Sequence, residues 1–64
     1  MADYTKQVID LLYDNGCYFL RRGKGSHKMW YSPISKRPFT VVDKIENRYT
    51  ANGILKDAGI KRKV

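Results

Sequence analysis

One histidine, one cysteine, two prolines and six carboxylates are all that 64 residues hold of these types. Each shortage excludes something. A single cysteine, Cys17, rules out an intramolecular disulfide and a cysteine-based zinc site, and its expected role is a small buried hydrophobe. The simplest compartment for such a chain is a reducing cytoplasm. No apolar run reaches the length of a membrane span and no signal-peptide core follows Met1, so a cytoplasmic protein with no membrane partner is expected. Asp43 and Glu46 are the only close carboxylate pair beyond the N-terminal segment, too few oxygens for a hard cation. Neither a metal nor a small-molecule cofactor is expected. The length suits one domain, residues 1–64, with an ordered core over about 5–60. A domain this small buries only about 60% of its unfolded surface, so its core is marginal.

What the chain has in excess is positive charge. Thirteen Lys and Arg against six Asp and Glu give a net charge of +7. Such a bias speaks to partners and not to fold, and it suits a nucleic acid, an acidic protein or both. The charge is uneven. Arg21, Arg22, Lys24, Lys28, Lys36 and Arg37 follow one another with no carboxylate between them. A second cluster, Lys61, Arg62 and Lys63, reads as part of a mobile basic tail over 61–64.

Hydrophobic spacing predicts five elements. Residues 5–15 form an amphipathic helix: Val8, Leu11, Leu12 and Asn15 fall on one stripe, flanked by Ile9. Thr5 is the expected N-cap, with Asp3 as competitor, and Asn15-Gly16 is the stop. Residues 17–22 read as a strand, with Cys17, Phe19 and Arg21 on one face and Tyr18, Leu20 and Arg22 on the other. Gly23-Lys24-Gly25 is a hairpin connection. The second strand begins at Ser26 or His27 and runs to Ser32, with His27, Met29 and Tyr31 opposite Lys28, Trp30 and Ser32; Pro33 ends it. A turn over 34–38 leads to a third strand, 39–42, and a polar connection without periodicity follows over 43–49. The last helix spans about 51–58, capped by Thr50, with Ala51, Ile54, Leu55 and Ala58 as its stripe. Gly53 weakens it by about 1 kcal/mol relative to Ala. Gly59 is the stop, and Ile60 falls where a Schellman cap makes its hydrophobic contact.

The predicted fold class is α+β. Two helices, each with one apolar stripe, pack on one face of a three-stranded antiparallel sheet and leave the other face open. Phe39 is an expected core residue. Tyr18, Trp30 and Tyr31 either stack on bases or fill the core, because alternation alone does not say which face the helices cover.

The run from Arg21 to His27 is the richest in chemistry. Arg21, Arg22, Lys24 and Lys28 can hold phosphates, Gly23 and Gly25 let a polyanion approach the backbone, and Ser26 completes the candidate RNA-binding set. Simple hairpin geometry accounts for the two glycines equally well. His27 is the one side chain whose ordinary pKa, about 6.5, lies near neutrality. The spacing does not fit a phosphate-binding P-loop, and Ser26 has no acidic partner nearby to make it a nucleophile. A surface histidine at a strand end is the plain alternative for His27.

A helix, three strands and a helix, with Gly25-Ser26-His27 opening the second strand, resembles the HicA family of toxin ribonucleases. The resemblance rests on Val8-Ile9-Asp10-Leu11-Leu12, Asn15-Gly16, Arg21, the run from Gly23 to His27, and Leu55-Lys56-Asp57-Ala58-Gly59-Ile60. It implies a double-stranded-RNA-binding-domain-like fold and metal-independent cleavage of mRNA. It also implies His27 as the catalytic histidine and a HicB-like antitoxin as inhibitory partner. The chain departs from that family after the third strand, where Val41-Val42-Asp43-Lys44 stands in place of a Val-Pro pattern and a second histidine. A lone histidine cannot form an acid–base pair with another, so the second proton transfer falls to Lys24, Lys28, a tyrosine or water. The competing reading is a non-catalytic RNA-binding module of the same fold, which recognises shape and phosphates.

Overall fold

A computed structural model describes residues 3–64 of the protein. The elements run α1 (Thr5–Asp14), β1 (Tyr18–Arg22), β2 (His27–Ser32), β3 (Arg37–Val42) and α2 (Arg48–Asp57). The three strands form one antiparallel sheet in the order β1-β2-β3. This is the α+β layout that the apolar periodicities predict, and it matches the double-stranded-RNA-binding-domain-like fold that the family resemblance implies.

The core lies between the helices and one sheet face. Val8 and Leu12 of α1 meet Ala51, Ile54 and Leu55 of α2 over Trp30, Phe39 and Val41 of the sheet. Both helices stop in the same way. Gly16 and Gly59 take left-handed backbone, with φ of 82° and 79°. Paired amide bonds close each end: Cys17 to the Leu12 carbonyl (2.9 Å) and Gly16 to that of Tyr13 (3.0 Å), then Ile60 to Leu55 and Gly59 to Lys56 (both 2.9 Å). These are Schellman caps, as Gly59-Ile60 predicts.

Four local expectations are corrected. Asn47 caps α2, not Thr50: its side chain accepts from the Thr50 amide at 2.8 Å, and the helix starts at Arg48. Thr5 does not cap α1; its hydroxyl accepts from the Ile45 amide (2.9 Å), and the Asp3 carboxylate accepts from the Thr5 amide (2.9 Å). The connection over 43–49 is not wholly polar, because Ile45 is fully buried and its carbonyl accepts from the Tyr4 amide at 2.8 Å. The segment after α2 is docked, since the Val64 amide donates to Asn52 Oδ1 at 2.8 Å and Val64 packs against the core.

The strand phase of β1 also differs. Phe19 pairs with Trp30, but Arg21 pairs with Met29, so Leu20 is an extra residue in the ladder. A bulge of this kind reverses the alternation beyond it. Phe19 and Arg22 therefore share the helix-facing side with Trp30 and Lys28. Tyr18 and Arg21 lie on the other side with Tyr31 and Met29.

The helix layer covers β2 and β3 better than β1. Trp30 is 3% exposed whereas Phe19, its cross-strand partner, is 44% exposed. Tyr13 and Phe19 flank the Trp30 ring, at centroid separations of 5.2 and 6.3 Å.

Candidate functional site

The buried side chains of Trp30 and Ser32 fix which face of β2 meets the helices. By alternation His27, Met29 and Tyr31 occupy the opposite, helix-free face. His27 is exposed and is the first residue of β2, where the hairpin enters the sheet.

The hairpin is held tightly at its base. The Gly23 amide donates to the His27 carbonyl (2.8 Å), and the His27 amide donates to the Lys24 carbonyl (3.1 Å). Gly25 takes φ of 60°, a left-handed conformation that glycine adopts without a Cβ clash. A Cβ on Gly23 would lie 3.3 Å from the His27 carbonyl oxygen. Hairpin geometry thus accounts for both glycines. The Ser26 carbonyl accepts from the Asp43 amide at 2.8 Å, which pins the hairpin tip to the end of β3.

The bulge at Leu20 divides the basic residues between two faces. Arg21 lies on the open side with the His27 row, and Lys24 is exposed in the loop. Neither makes an ion pair among the described residues. Arg22 and Lys28 lie on the helix-facing side and share Asp43, at 3.9 and 3.6 Å. The site residues therefore do not form one cationic cluster. Arg21, Lys24 and His27 form its open part, and Asp43 partly neutralises the rest. Sequence reading saw Asp43 only as a carboxylate outside the basic run. Its role follows from β3 bringing residue 43 back beside the start of β2, where His27 pairs with Val42.

The arrangement presents Arg21, Lys24 and one imidazole on a sheet face that no helix among the described residues covers. Among the described residues no three of His, Cys, Asp and Glu stand together as metal ligands. No helix among them is long and apolar enough to cross a membrane.

Fold and site together define a small, strongly basic α+β protein with a single histidine displayed on an open sheet. The family model described as the HicA toxin of bacterial toxin–antitoxin systems matches residues 5–60. The chain belongs to this toxin family, and membership implies an antitoxin partner. Comparison with curated proteins and with solved structures gave no match.

Proposed function

We propose that this toxin is a metal-independent endoribonuclease that cleaves mRNA, with His27 as its proton-transfer group and a HicB-like antitoxin as its inhibitor. The observation that carries the reading is the exposure of His27 on the helix-free face, beside Arg21 and the Lys24–Ser26 loop. The imidazole removes the proton of a ribose 2′-hydroxyl. The freed oxygen attacks the adjacent phosphorus, the bond to the 5′-oxygen breaks, and water or a lysine protonates that oxygen. The products are a 2′,3′-cyclic phosphate and a 5′-hydroxyl end. Arg21 and Lys24 offset the charge that builds on the phosphorane. Arg22 and Lys28 contribute once phosphate competes with Asp43, and Gly23, Gly25 and Ser26 allow close approach to the backbone. Residues 1–64 act as one HicA-like domain in this reading, and the antitoxin works by covering the open face.

The test compares wild type with His27→Ala, by growth on induction and by cleavage of purified RNA in chelator. Removing a positioned proton-transfer group costs about 10²–10⁴-fold in rate. The variant should leave RNA intact and permit growth while its thermal melt is unchanged. Equal cleavage by the variant overturns the assignment. Salt-dependent binding by wild type with RNA recovered intact establishes the non-catalytic RNA-binding module instead.

A further inference from the structure

A second basic feature lies on the other side of the molecule. The segment after α2 folds back along that helix, and the bond from the Val64 amide to Asn52 Oδ1 holds it there. Between helix and segment lies a groove of about 290 Å³. Its rim carries Lys56, Lys61, Arg62 and Lys63, and no carboxylate lines it. None of these four cations makes an ion pair among the described residues. Ile60 and Gly53 also line the groove, and its surface is mainly apolar.

Gly53 supplies the second observation. It stands inside α2, where glycine is less favourable than alanine. It has no left-handed backbone that would require glycine. A Cβ placed on it would meet no described atom within 4 Å beyond its chain neighbours and the backbone of its own helix. Nothing in the protein's own packing therefore calls for glycine here. Gly53 lines the groove, so a methyl group there adds bulk at its wall.

We propose that this groove binds the phosphate backbone of an RNA strand, at a site distinct from the His27 face. The inference rests on the reading of RNA as the toxin's target. The apolar surface accepts a ribose or base while the rim cations reach the flanking phosphates, with Arg62 able to grip two phosphate oxygens at once. RNA therefore suits both parts of the groove.

The test uses full-length protein carrying His27→Ala, titrated with a short fluorescent single-stranded RNA at several salt concentrations. Two further changes are compared on that background. The first is the triple change Lys61→Gln, Arg62→Gln, Lys63→Gln. Each lost phosphate contact flattens the dependence of log K on log salt by about 0.7 for a single strand, so the triple variant should lose about 2 from the slope. The second is Gly53→Ala, which should raise the melting temperature by about 3–8 °C and yet weaken RNA binding several-fold. A stabilised variant with poorer binding cannot be explained by damage to the fold. Unchanged affinity in Gly53→Ala together with an unchanged slope in the triple variant overturns the proposal. So does a selective loss of binding to a polyglutamate peptide with RNA binding intact. Failure of the ribonuclease reading is seen separately, as RNA recovered intact after incubation with wild type, and leaves these binding results standing.

Discussion

Two serines three residues apart should respond very differently to the same substitution. Ser32 is fully buried at the end of β2, and its hydroxyl donates to the carbonyl of Ala58, just past α2. The same oxygen accepts from the amides of Ile34 (3.2 Å) and Ser35 (3.3 Å). It ties the β2–β3 turn to the end of α2. Ser32→Ala removes one atom and opens almost no cavity, so the cost lies in the polar groups left behind. A buried acceptor deprived of its partner costs about 1–3 kcal/mol, and the two long amide bonds add little. We expect a loss of about 2 kcal/mol. At about 0.05–0.15 kcal/mol per residue the whole domain has only about 3–10 kcal/mol, so the loss is a large fraction. The Ser35 hydroxyl is buried with no partner among the described residues. Ser35→Ala removes a desolvated group that gains nothing and should be neutral or slightly stabilising. Trp30, the sole tryptophan and 3% exposed, is a natural fluorescence probe for urea unfolding. With a slope near 1 kcal/mol/M for so small a protein, Ser32→Ala should lower the midpoint by about 2 M while Ser35→Ala leaves it in place. Equal shifts for the two, with unchanged slopes, would refute the reasoning.

Two other perturbations follow from the ion pairs and the first helix. Asp43→Asn frees Lys28 and Arg22 from partly exposed pairs worth about 0–1 kcal/mol each, so stability should change little. RNA binding on the His27→Ala background should tighten, with a steeper salt dependence; weaker binding would show that Asp43 orders the site and does not merely compete for its cations. The pKa of Asp3 is lowered from 3.8, first by the Thr5 backbone amide, then by its side chain and more weakly by Lys44, with burial opposing. A carboxylate depressed in the folded state contributes stability that is fully present above its unfolded pKa and lost as pH falls through the folded value. Asp3→Asn should therefore flatten thermal stability below about pH 3.8. An unchanged acid limb in melts against pH would remove Asp3 from that role.

The apolar stripes were legible because burial alone dictates them. Val8 and Leu12 in α1, and Ala51, Ile54, Leu55 and Ala58 near α2, are all buried. The stop at Gly59-Ile60 was legible because only a few residue types adopt left-handed backbone. The bulge at Leu20 was not, since a pleated pattern with one extra residue looks locally like an unbroken one. Its effect is to split Arg21 from Arg22 and so to reshape the candidate site. Ile45 was missed because it fills the core from a loop and has no period to betray it. Asn47 and Thr50 are both good capping residues, and only the course of the chain decides between them. The docked segment rests on a bond between residues 52 and 64 and on Val64 packing against the core, which no local pattern announces.

Charge ties these parts together and leads to a final prediction. Asp10, Asp43 and Glu46 pair with Lys6, Arg22, Lys28 and Lys44. Nine of the thirteen cations make no ion pair among the described residues, including Arg21 and Lys24 at the hairpin and all four on the groove rim. The thirteen cations share a domain whose radius of gyration, 10.6 Å, is comparable to one Debye length (~10 Å at 0.1 M salt), so their mutual repulsion is only partly screened. The four pairs are exposed or partly exposed and worth about 0–1 kcal/mol each, so repulsion outweighs them in a domain with a marginal core. Raising sodium chloride should therefore raise the melting temperature of the free protein over the range in which screening grows. RNA should stabilise the His27→Ala protein at low salt, by about 2.7 kcal/mol at a hundredfold excess over Kd, and should lose this effect as salt rises. A melting temperature that falls with added salt in the absence of RNA would mean that the four pairs outweigh the repulsion. The net charge would then not be the strain that a polyanion relieves.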